Sequence, residues 1–365
     1  MKNITCKKLY TPNEVLINQK IWIENGLISK IEHLNSDEIA EFENLAPTLI
    51  DLHINGGEQF HFTQKPERET LIDIEFSAKK NGVGYVLPTL ITSSIDNIFR
   101  GLETIKNYCK ENPNSGVLGM HLEGPFLSIK KRGAHLEKYI KKPDNQTLRE
   151  IIDFGGESLK MITIAPENFT NEQILMLLES GIKVSLGHSN CTFERAKEAF
   201  GLGVNLVTHL FNAMSPFTHR EPGLAGASLS NNQVFTPLIL DDVHVATDAA
   251  RLAFKLKKEK MFLISDALFQ NHKKERFQWE EFDAFITDGN YMNSDGNLAG
   301  ATISLADAVR NAKNWLSVDT KYALKMATEI PAEVMNFNIG KIEVGAKVKF
   351  SCFNDDLEEF QYIEI

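Results

Sequence analysis

The stretch IKVSLGHSNCTFERAKEAFGLGVNLVTHL, residues 182–210, contains two short apolar runs that each lead into a histidine. Between them, CTFERAKEAFGLG has the polar start, amphipathic spacing and closing glycine that are typical of a helix. A strand, a helix and a second strand in this order predict a parallel βαβ unit. Because the carboxyl ends of parallel strands lie at one end of a barrel, we expect His188 and His209 to lie close together.

Units of this kind occupy most of the chain from residue 48 onward. Short apolar runs alternate with helical patterns, and the eight runs are TLIDLHI, GYVLPTL, GVLGMHLEG, LKMITIAPE, IKVSLGHS, VNLVTHL, VFTPLIL and MFLISDA. This alternation predicts an α/β protein with a parallel sheet. Eight units within roughly 250–290 residues fit a closed, TIM-like (β/α)8 barrel. A doubly wound open sheet is the alternative, but no GxGxxG and no phosphate-binding loop follows any of the runs.

The two ends of the chain differ from the middle. Residues 1–46 and 338–365 read as short strands, with a hairpin signal at residues 24–26, ENG. Neither segment has enough strand to be stable alone. We therefore expect both to form one small β-sandwich domain beside a barrel made of residues 47–337.

Composition excludes several classes of function. The chain has 365 residues and a net charge of −10, without any basic block, which argues against nucleic acid as a partner. No apolar stretch is long enough to cross a membrane. The four cysteines are scattered and form no CxxC, and the first residues lack the apolar run of a signal peptide. These features predict reduced thiols in a cytoplasmic protein.

Polar side chains stand at the ends of five of the predicted strands: His53, Glu123, His188, His209 and Asp266. A closed barrel would bring them into one small volume. A carboxylate oxygen and two imidazole nitrogens suit Zn²⁺ or a similar divalent ion and leave a position open for water. A metal lowers the pKa of such a water to about 7. A carboxylate outside the ligand set, such as Asp266, can then carry a proton to a leaving amine.

An ordered set of motifs extends along essentially the whole chain: HLEGPF, RGAH, SLGHS, THLFNAM, HREPGLAG, DDVHV, LISDA, NLAGATIS and GKIEVGAKVKF. In this order the motifs resemble those of the N-acetylglucosamine-6-phosphate deacetylases of the amidohydrolase superfamily. The resemblance implies metal-dependent hydrolysis of the acetamide of N-acetylglucosamine 6-phosphate, in amino-sugar catabolism or recycling. The products would be glucosamine 6-phosphate and acetate.

The resemblance also implies roles for individual residues. Glu123, His188 and His209 match metal ligands, and Asp266 matches the catalytic acid and base. His135 is placed to polarise the acetyl carbonyl. The residues implied to bind the sugar phosphate are Ala134, His135, Asn212, Ala213, Arg220, Asp241, His244, Leu298, Ala299 and Gly300. The implied cofactor is one divalent ion per chain, Zn²⁺ first, with Fe, Co or Mn as alternatives. The implied assembly is a homodimer in which Arg220 serves the opposite active site.

The chain departs from the family at Thr48 and Asp242, which both stand where glycine is usual, and it falls between the family's two patterns at the His-x-His position. Relatives with His-x-His after the first strand can hold two metals, whereas here His53 is followed by Asn55. Loss of one imidazole should weaken a second site severely. We therefore expect one metal, with His53 and Asn55 as hydrogen-bonding groups around it or as ligands of a weak second ion. Asp242 stands where glycine is usual and adds a negative charge near the phosphate.

Two other functions remain open. Another amidohydrolase, such as a cyclic-amide hydrolase or a deaminase, would have no use for Arg220. A non-catalytic barrel that binds sugar phosphates would hold no metal.

His33, His61 and His272 lie outside the site and are predicted to be surface residues.

Overall fold

The computed structural model describes residues 2–271 and 274–363. The strands of this part of the chain are β1 (Lys2–Tyr10), β2 (Val15–Glu24), β3 (Leu27–His33), β4 (Phe42–Pro47), β5 (Leu49–Ile54), β6 (Val83–Ile91), β7 (Met120–Glu123), β8 (Leu159–Ile164), β9 (Lys183–Leu186), β10 (Thr236–Leu238), β11 (Met261–Leu263), β12 (Arg276–Trp279), β13 (Phe282–Thr287), β14 (Asn290–Asn293), β15 (Phe350–Phe353) and β16 (Gln361–Ile363).

Helices alternate with the strands through the middle of the chain. They are α1 (Arg68–Lys79), α2 (Ile95–Glu111), α3 (Asn145–Gly155), α4 (Asn171–Glu179), α5 (Phe193–Gly201), α6 (Gly223–Ser230), α7 (Thr247–Lys257), α8 (Leu305–Trp315), α9 (Thr320–Lys325) and α10 (Glu329–Val334). Within the described ranges, none of the helices combines the length and the apolar character that a membrane span requires.

The first sheet joins the two ends of the chain. Its strand order is β16-β15-β4-β1-β2-β3, and β1 and β4 are its parallel pair. Leu9, Ile21 and Phe350 are fully buried in the core that this sheet covers. Because β15 pairs with β4, with Phe350 opposite Pro47, the C-terminal segment lies beside the strand that leads into the rest of the molecule.

The second sheet is parallel and curved. Strands β5 to β9 pair in sequence order, and β10 pairs with β11. Isolated parallel bridges continue the pairing, and they join Leu186 to Val207, Leu206 to Phe235, and Ile54 to Ala267. The chain is therefore an α/β fold in which parallel pairing runs from β5 to the residues after β11 and returns to β5.

The sequence pattern explains these elements. All nine residues of β6 are buried, as expected for a parallel strand covered on both faces. Several of the helices begin at side-chain caps: Ser94 accepts from the backbone N–H of Asn97 in α2, and Thr170 forms a capping box with Gln173 in α4. Caps satisfy backbone donors that a helix start would otherwise leave unpaired.

The βαβ unit of residues 182–210 is present with one difference. Thr192 caps α5, which follows β9 as predicted. The predicted strand VNLVTHL, however, pairs only through isolated bridges at Leu206 and Val207. The chain leaves the extended conformation at His209, whose φ is 31°, so this run is too short for a regular strand.

A three-stranded antiparallel sheet, β12-β13-β14, follows the last parallel strand and is not predicted by the apolar runs. Asp288 and Gly289, with φ of 49° and 82°, form the turn between β13 and β14. Asp-Gly between two β-rich runs is a hairpin signal that could have identified it. Phe277, Phe282 and Tyr291 of this sheet are buried in a hydrophobic cluster separate from the main core. The same cluster contains residues at or after the ends of parallel strands, such as Ile91 and Leu268.

One carboxylate holds the loop that follows β5. Asp73 in α1 accepts hydrogen bonds from the backbone N–H groups of Glu58, Gln59 and Phe60, at 3.2, 2.8 and 2.9 Å. Its side chain is buried against this loop. Asp73 therefore fixes the path of the chain that leads to His61.

We expect Asp73→Asn to lower the free energy of unfolding by about 1–3 kcal/mol, because an amide group would face backbone donors that now bind a carboxylate. Urea denaturation measures this change. The exposed Asp356→Asn is the matched control and should stay within about 0.5 kcal/mol of the parent. Equal stability of the two variants would contradict this role of Asp73.

Candidate functional site

The carboxyl ends of the parallel strands surround a cavity of about 490 Å³. Its wall contains Glu123, His135, His188, His209 and Asp266. A larger cavity of about 820 Å³ lies next to the terminal sheet, and its described lining includes no histidine and no aspartate. We place the candidate site in the smaller cavity because the side chains that can bind metal and move protons converge there.

The backbone turns sharply where these side chains enter the cavity. Glu123 is the last residue of β7. His188, His209 and Asp266 follow their strands with positive φ of 44°, 31° and 48°. Residues other than glycine rarely adopt this conformation, which costs roughly 1–3 kcal/mol each. Ala213, in the same wall, has a φ of 49°, so four such residues surround one cavity. The surrounding structure therefore stabilises strained backbone at this site.

Three donor atoms form a compact group at the centre of the cavity. Glu123 Oε1 lies 3.1 Å from His209 Nε2 and 3.2 Å from His188 Nε2, and the two nitrogens are 3.1 Å apart. Three ligands of one tetrahedral zinc ion, each about 2.0–2.1 Å from it, are about 3.3 Å apart. The spacing of these atoms therefore fits a single divalent ion.

The protonation of His188 also fits a metal ligand. Its Nδ1 lies 2.9 Å from the backbone carbonyl oxygen of Lys131. A carbonyl can only accept, so Nδ1 carries the proton and Nε2 keeps its lone pair. A hydrogen bond on the far nitrogen is the usual way in which proteins orient a metal-binding imidazole.

His135 has the opposite arrangement. The backbone N–H of Thr92 donates to its Nδ1 at 3.4 Å, and the Thr92 hydroxyl is 2.9 Å from the same atom. A backbone N–H can only donate, so Nδ1 accepts and Nε2 carries the proton.

His135 and His209 compete for the place of third ligand. Glu123, His135 and His188 have potential ligand atoms within 4.8 Å of one another. However, His135 Nε2 is 3.6 Å from Glu123 Oε2, whereas His209 Nε2 is 3.1 Å from Glu123 Oε1. We favour His209, because its nitrogen is closer and His135 presents an N–H donor.

His53 and Asn55 both contact Asp266. His53 Nε2 is 3.1 Å from Asp266 Oδ1 and 3.4 Å from Glu123 Oε2, and Asn55 Nδ2 donates to Asp266 Oδ1 at 2.8 Å. Burial lowers the pKa of His53, but Asp266 and Glu123 outweigh this effect and raise the pKa to about 9. Burial raises the pKa of Glu123, yet His53 and His188 hold that pKa well below its usual value.

Most of the predicted substrate residues line the cavity, namely Ala134, His135, Asn212, Ala213, His244, Leu298, Ala299 and Gly300. Asp241 is not among the residues that line it. Its carboxylate accepts from the backbone N–H groups of Val243 and His244 and lies 2.6 Å from His244 Nδ1. Because both oxygens are used in this way, Asp241 orients the ring of His244.

Arg220 is exposed and does not line the cavity of its own chain. Asp242 also turns away from the cavity. Its carboxylate accepts from the backbone N–H and the hydroxyl of Thr247, each at 2.7 Å, at the start of α7. The negative charge of Asp242, which we expected beside the phosphate, therefore lies at the start of α7.

Sequence reasoning missed several residues of the wall, which are His61, Ile91, Lys130, Lys131, Gly133, Leu268, Phe282, Gly296 and Asn297. The prediction that His61 is a surface residue is wrong, since it is 0% exposed. The chain after β5 folds back, and Gly56 forms an isolated antiparallel β-bridge with His61. The ring of His61 packs against Phe277 and Phe282 of the sheet β12-β13-β14. Phe60 and Phe62, the aromatic residues on either side of His61, were the sequence signal that could have indicated its burial. His33 is exposed as predicted, and His272 lies outside the described residues.

Comparison with known proteins relates this site to a family. Residues 44–363 match the profile of the amidohydrolase family. The N-acetylglucosamine-6-phosphate deacetylase of Haemophilus influenzae is 32% identical over 321 residues, which cover 86% of this chain and 84% of that protein. The N-acetylgalactosamine-6-phosphate deacetylase of a Shewanella species is 33% identical over 318 residues, with coverage of 86% and 79%. The crystal structure of N-acetylglucosamine-6-phosphate deacetylase from Pasteurella multocida has a TM-score of 0.90 at 30% identity, with coverage of 98% and 97%.

Proposed function

Because this chain belongs to the amidohydrolase family, we propose that it hydrolyses the acetamide of N-acetylglucosamine 6-phosphate. The reaction adds water across the amide C–N bond and releases acetate and glucosamine 6-phosphate, as in amino-sugar catabolism or recycling. The observation that carries the proposal is the convergence of Glu123, His188 and His209 with Asp266 in one cavity. The similar deacetylases of Haemophilus influenzae and Pasteurella multocida support the choice of substrate.

We assign one divalent ion to Glu123, His188 and His209, with Zn²⁺ as the first candidate and Fe, Co or Mn as alternatives. The donor spacing and the lone pair on His188 Nε2 support this assignment. When bound, such an ion lowers the pKa of a water molecule and polarises a carbonyl group. We expect a single ion, because Asn55 stands in place of a second imidazole and already donates its amide to Asp266.

Asp266 moves the proton in the proposed mechanism. It lies outside the three-atom group, and Asn55 holds its Oδ1 at 2.8 Å. A carboxylate that is fixed in this way can take a proton from the attacking water and deliver it to the nitrogen of the leaving amine. His53, 3.1 Å from the same oxygen, helps to set its orientation.

His135 stabilises the charge that develops on the acetyl oxygen. Thr92 occupies its Nδ1, so His135 presents an Nε2–H donor in the cavity wall. A donor that is already oriented stabilises an oxyanion more than a donor that must first reorient, and burial strengthens the interaction.

The sugar phosphate is assigned to the part of the cavity next to Asn212, Ala213 and His244. Lys130 and Lys131 also line the cavity and add the positive charge that a dianion requires. Arg220 is exposed and does not line the cavity of its own chain, so we propose a two-fold homodimer in which it reaches the phosphate in the neighbouring subunit.

The finer architecture is part of the same proposal. The return of parallel pairing from Ala267 to Ile54 supports a closed (β/α)8 barrel of residues 47–337. The shared sheet of β1 to β4 with β15 and β16 supports a small β domain of residues 1–46 and 338–365, which we assign as a β-sandwich. The free cysteines, Cys6, Cys109, Cys191 and Cys352, fit a cytoplasmic location.

The C4 epimer is a second candidate substrate. The Shewanella relative, which is an N-acetylgalactosamine-6-phosphate deacetylase, is as similar to this chain as the N-acetylglucosamine-6-phosphate deacetylase of Haemophilus influenzae. Both substrates carry the same acetamide and the same phosphate, so the metal site, Asp266 and His135 would act on them identically.

The substrate assignment predicts that the protein releases acetate from N-acetylglucosamine 6-phosphate and that a chelator abolishes this activity until Zn²⁺ is restored. The assay is run in parallel with N-acetylgalactosamine 6-phosphate and with unphosphorylated N-acetylglucosamine. Absence of acetate from both phosphorylated sugars would overturn the assignment. Release of ammonia in its place would identify a deaminase.

The role of Asp266 predicts that Asp266→Asn lowers kcat by about 10²–10⁴-fold, because an amide cannot carry the proton. Metal content and KM should change little, since the amide keeps the size of the side chain. Steady-state kinetics and elemental analysis measure these quantities, with Asp356→Asn as the control. Turnover close to that of the parent would assign the proton transfer to another residue.

The ligand assignment predicts different metal contents for two variants. We expect His209→Asn to weaken Zn²⁺ binding by more than about 100-fold, because even outer groups of a metal site contribute about 10–100-fold. His135→Asn should keep about one ion per chain and lose kcat. Competition with a zinc-binding dye measures the affinities. Equal weakening in both variants would place His135 among the ligands.

The shared site predicts that Arg220→Ala raises KM for the phosphorylated sugar and has little effect on unphosphorylated N-acetylglucosamine, because only the former carries a dianion. Mixing Arg220→Ala chains with Asp266→Asn chains should restore part of the activity, since one of the two sites of a mixed dimer has both residues intact. Subunit exchange is confirmed separately with labelled chains. Exchange without any recovery, or an active monomer, would disprove the shared site.

A further inference from the structure

Arg132 connects two loops of the cavity wall. Its Nη1 donates to the backbone carbonyl oxygens of Gly133 and His135, each at 3.2 Å, and its Nη2 donates to Asp295 Oδ2 at 2.9 Å. Gly133 and His135 belong to one segment of the wall, and residues 296–300, directly after Asp295, belong to another. One guanidinium group therefore joins two wall segments whose bonded residues are 163 positions apart in the chain.

Each of the two loops is also bonded internally. In the first, the backbone N–H of His135 donates to the carbonyl oxygen of Arg132 at 3.1 Å, which closes a tight turn. In the second, the side-chain oxygen of Asn293 accepts from the backbone N–H groups of Asp295 and Asn297, at 3.1 and 2.9 Å. Because each loop is closed on itself, the contact between Arg132 and Asp295 fixes the position of one loop relative to the other.

Arg132 and Asp295 differ from an ordinary surface ion pair. Their side chains are 29% and 53% exposed, and an ion pair with this exposure contributes little to stability by itself. The planar guanidinium, however, binds the carboxylate and two backbone carbonyls at the same time, which the single ammonium of a lysine cannot reproduce. The contact therefore determines the geometry of the turn more than the stability of the fold.

The turn that Arg132 holds ends at His135. Thr92 fixes the ring of His135 through Nδ1, and Arg132 fixes the backbone carbonyl of the same residue. A preorganised donor loses much of its effect when it is displaced by a fraction of an ångström. We propose that Arg132, together with Asp295, is a positioning residue that holds the Nε2–H donor of His135 at the acetyl oxygen. This role rests on the proposed function, in which His135 stabilises the oxyanion.

We expect Arg132→Met to lower kcat for N-acetylglucosamine 6-phosphate about tenfold, because the donor stays in place but is less well oriented. Complete loss of an oxyanion donor costs more, about 10²–10³-fold. KM, zinc content and the midpoint of urea denaturation should change little. Steady-state kinetics, elemental analysis and denaturation measure these quantities on the full chain.

Asp295→Asn is the second variant, because it leaves the guanidinium in place and removes only its charged partner. It should lower kcat by about twofold to fivefold, a factor that corresponds to one exposed ion pair. Asp283→Asn is the matched control, since it breaks an ion pair of the same residue types, with Arg276 at 2.7 Å, in the sheet β12-β13-β14. The control should keep the kcat of the parent.

A double-mutant cycle with His135 separates positioning from a general structural effect. In the His135→Asn background, Arg132→Met should have little further effect on kcat, because the donor that it positions is absent. Losses that multiply in the double variant, or an unchanged kcat in Arg132→Met, would overturn this role. Loss of zinc from Arg132→Met would also overturn it, since the effect would then act through His188, which is bonded to the carbonyl of Lys131. Failure of the parent to release acetate would instead overturn the proposed function.

Discussion

Burial of the Glu123 carboxylate is the constraint on which the site depends. Its side chain is 3% exposed, and an unpaired charge at such a position is costly. His53, His135, His188 and His209 each place a nitrogen within 3.6 Å of it. Because these residues follow different strands, only the curvature of the parallel sheet brings them together. Strand pairing and the electrostatics of the cavity therefore depend on each other, and a loss of pairing would leave the carboxylate without compensation.

The same sheet holds the strained backbone at the strand ends. Positive φ at His188, His209 and Asp266 costs roughly 1–3 kcal/mol per residue. The backbone of each residue is nevertheless bonded: the carbonyl of His188 accepts from Ser128, that of His209 from Asn212, and the N–H of Asp266 donates to His53. Hydrogen bonds to neighbouring segments offset the strain and direct the side chains inward. The cost is local to the site, whereas the stabilisation comes from the whole sheet.

This division explains what the sequence could reveal. Strands that are buried on both faces appear as continuous apolar runs, so their order and the polar residues at their ends, such as Glu123 and His209, could be predicted. The short length of the sixth strand could not be predicted, because the strand ends where the backbone turns at His209. The role of Asp241 depends on which donors its oxygens reach, and the burial of His61 depends on β12-β13-β14, which lies more than two hundred residues further along the chain. Local sequence patterns carry little information about which hydrogen bonds a side chain makes or about packing between segments far apart in the chain.

The imidazoles of the cavity have the same covalent structure and different uses, because their neighbours differ. At His188 the carbonyl of Lys131 accepts a hydrogen bond from Nδ1–H, which leaves the lone pair of Nε2 for a cation. At His135 the N–H of Thr92 occupies Nδ1 and leaves a donor for a developing negative charge. In each case the group on one side of the ring decides what the other side can bind, so the chemistry of the cavity is set largely by residues that do not touch the substrate.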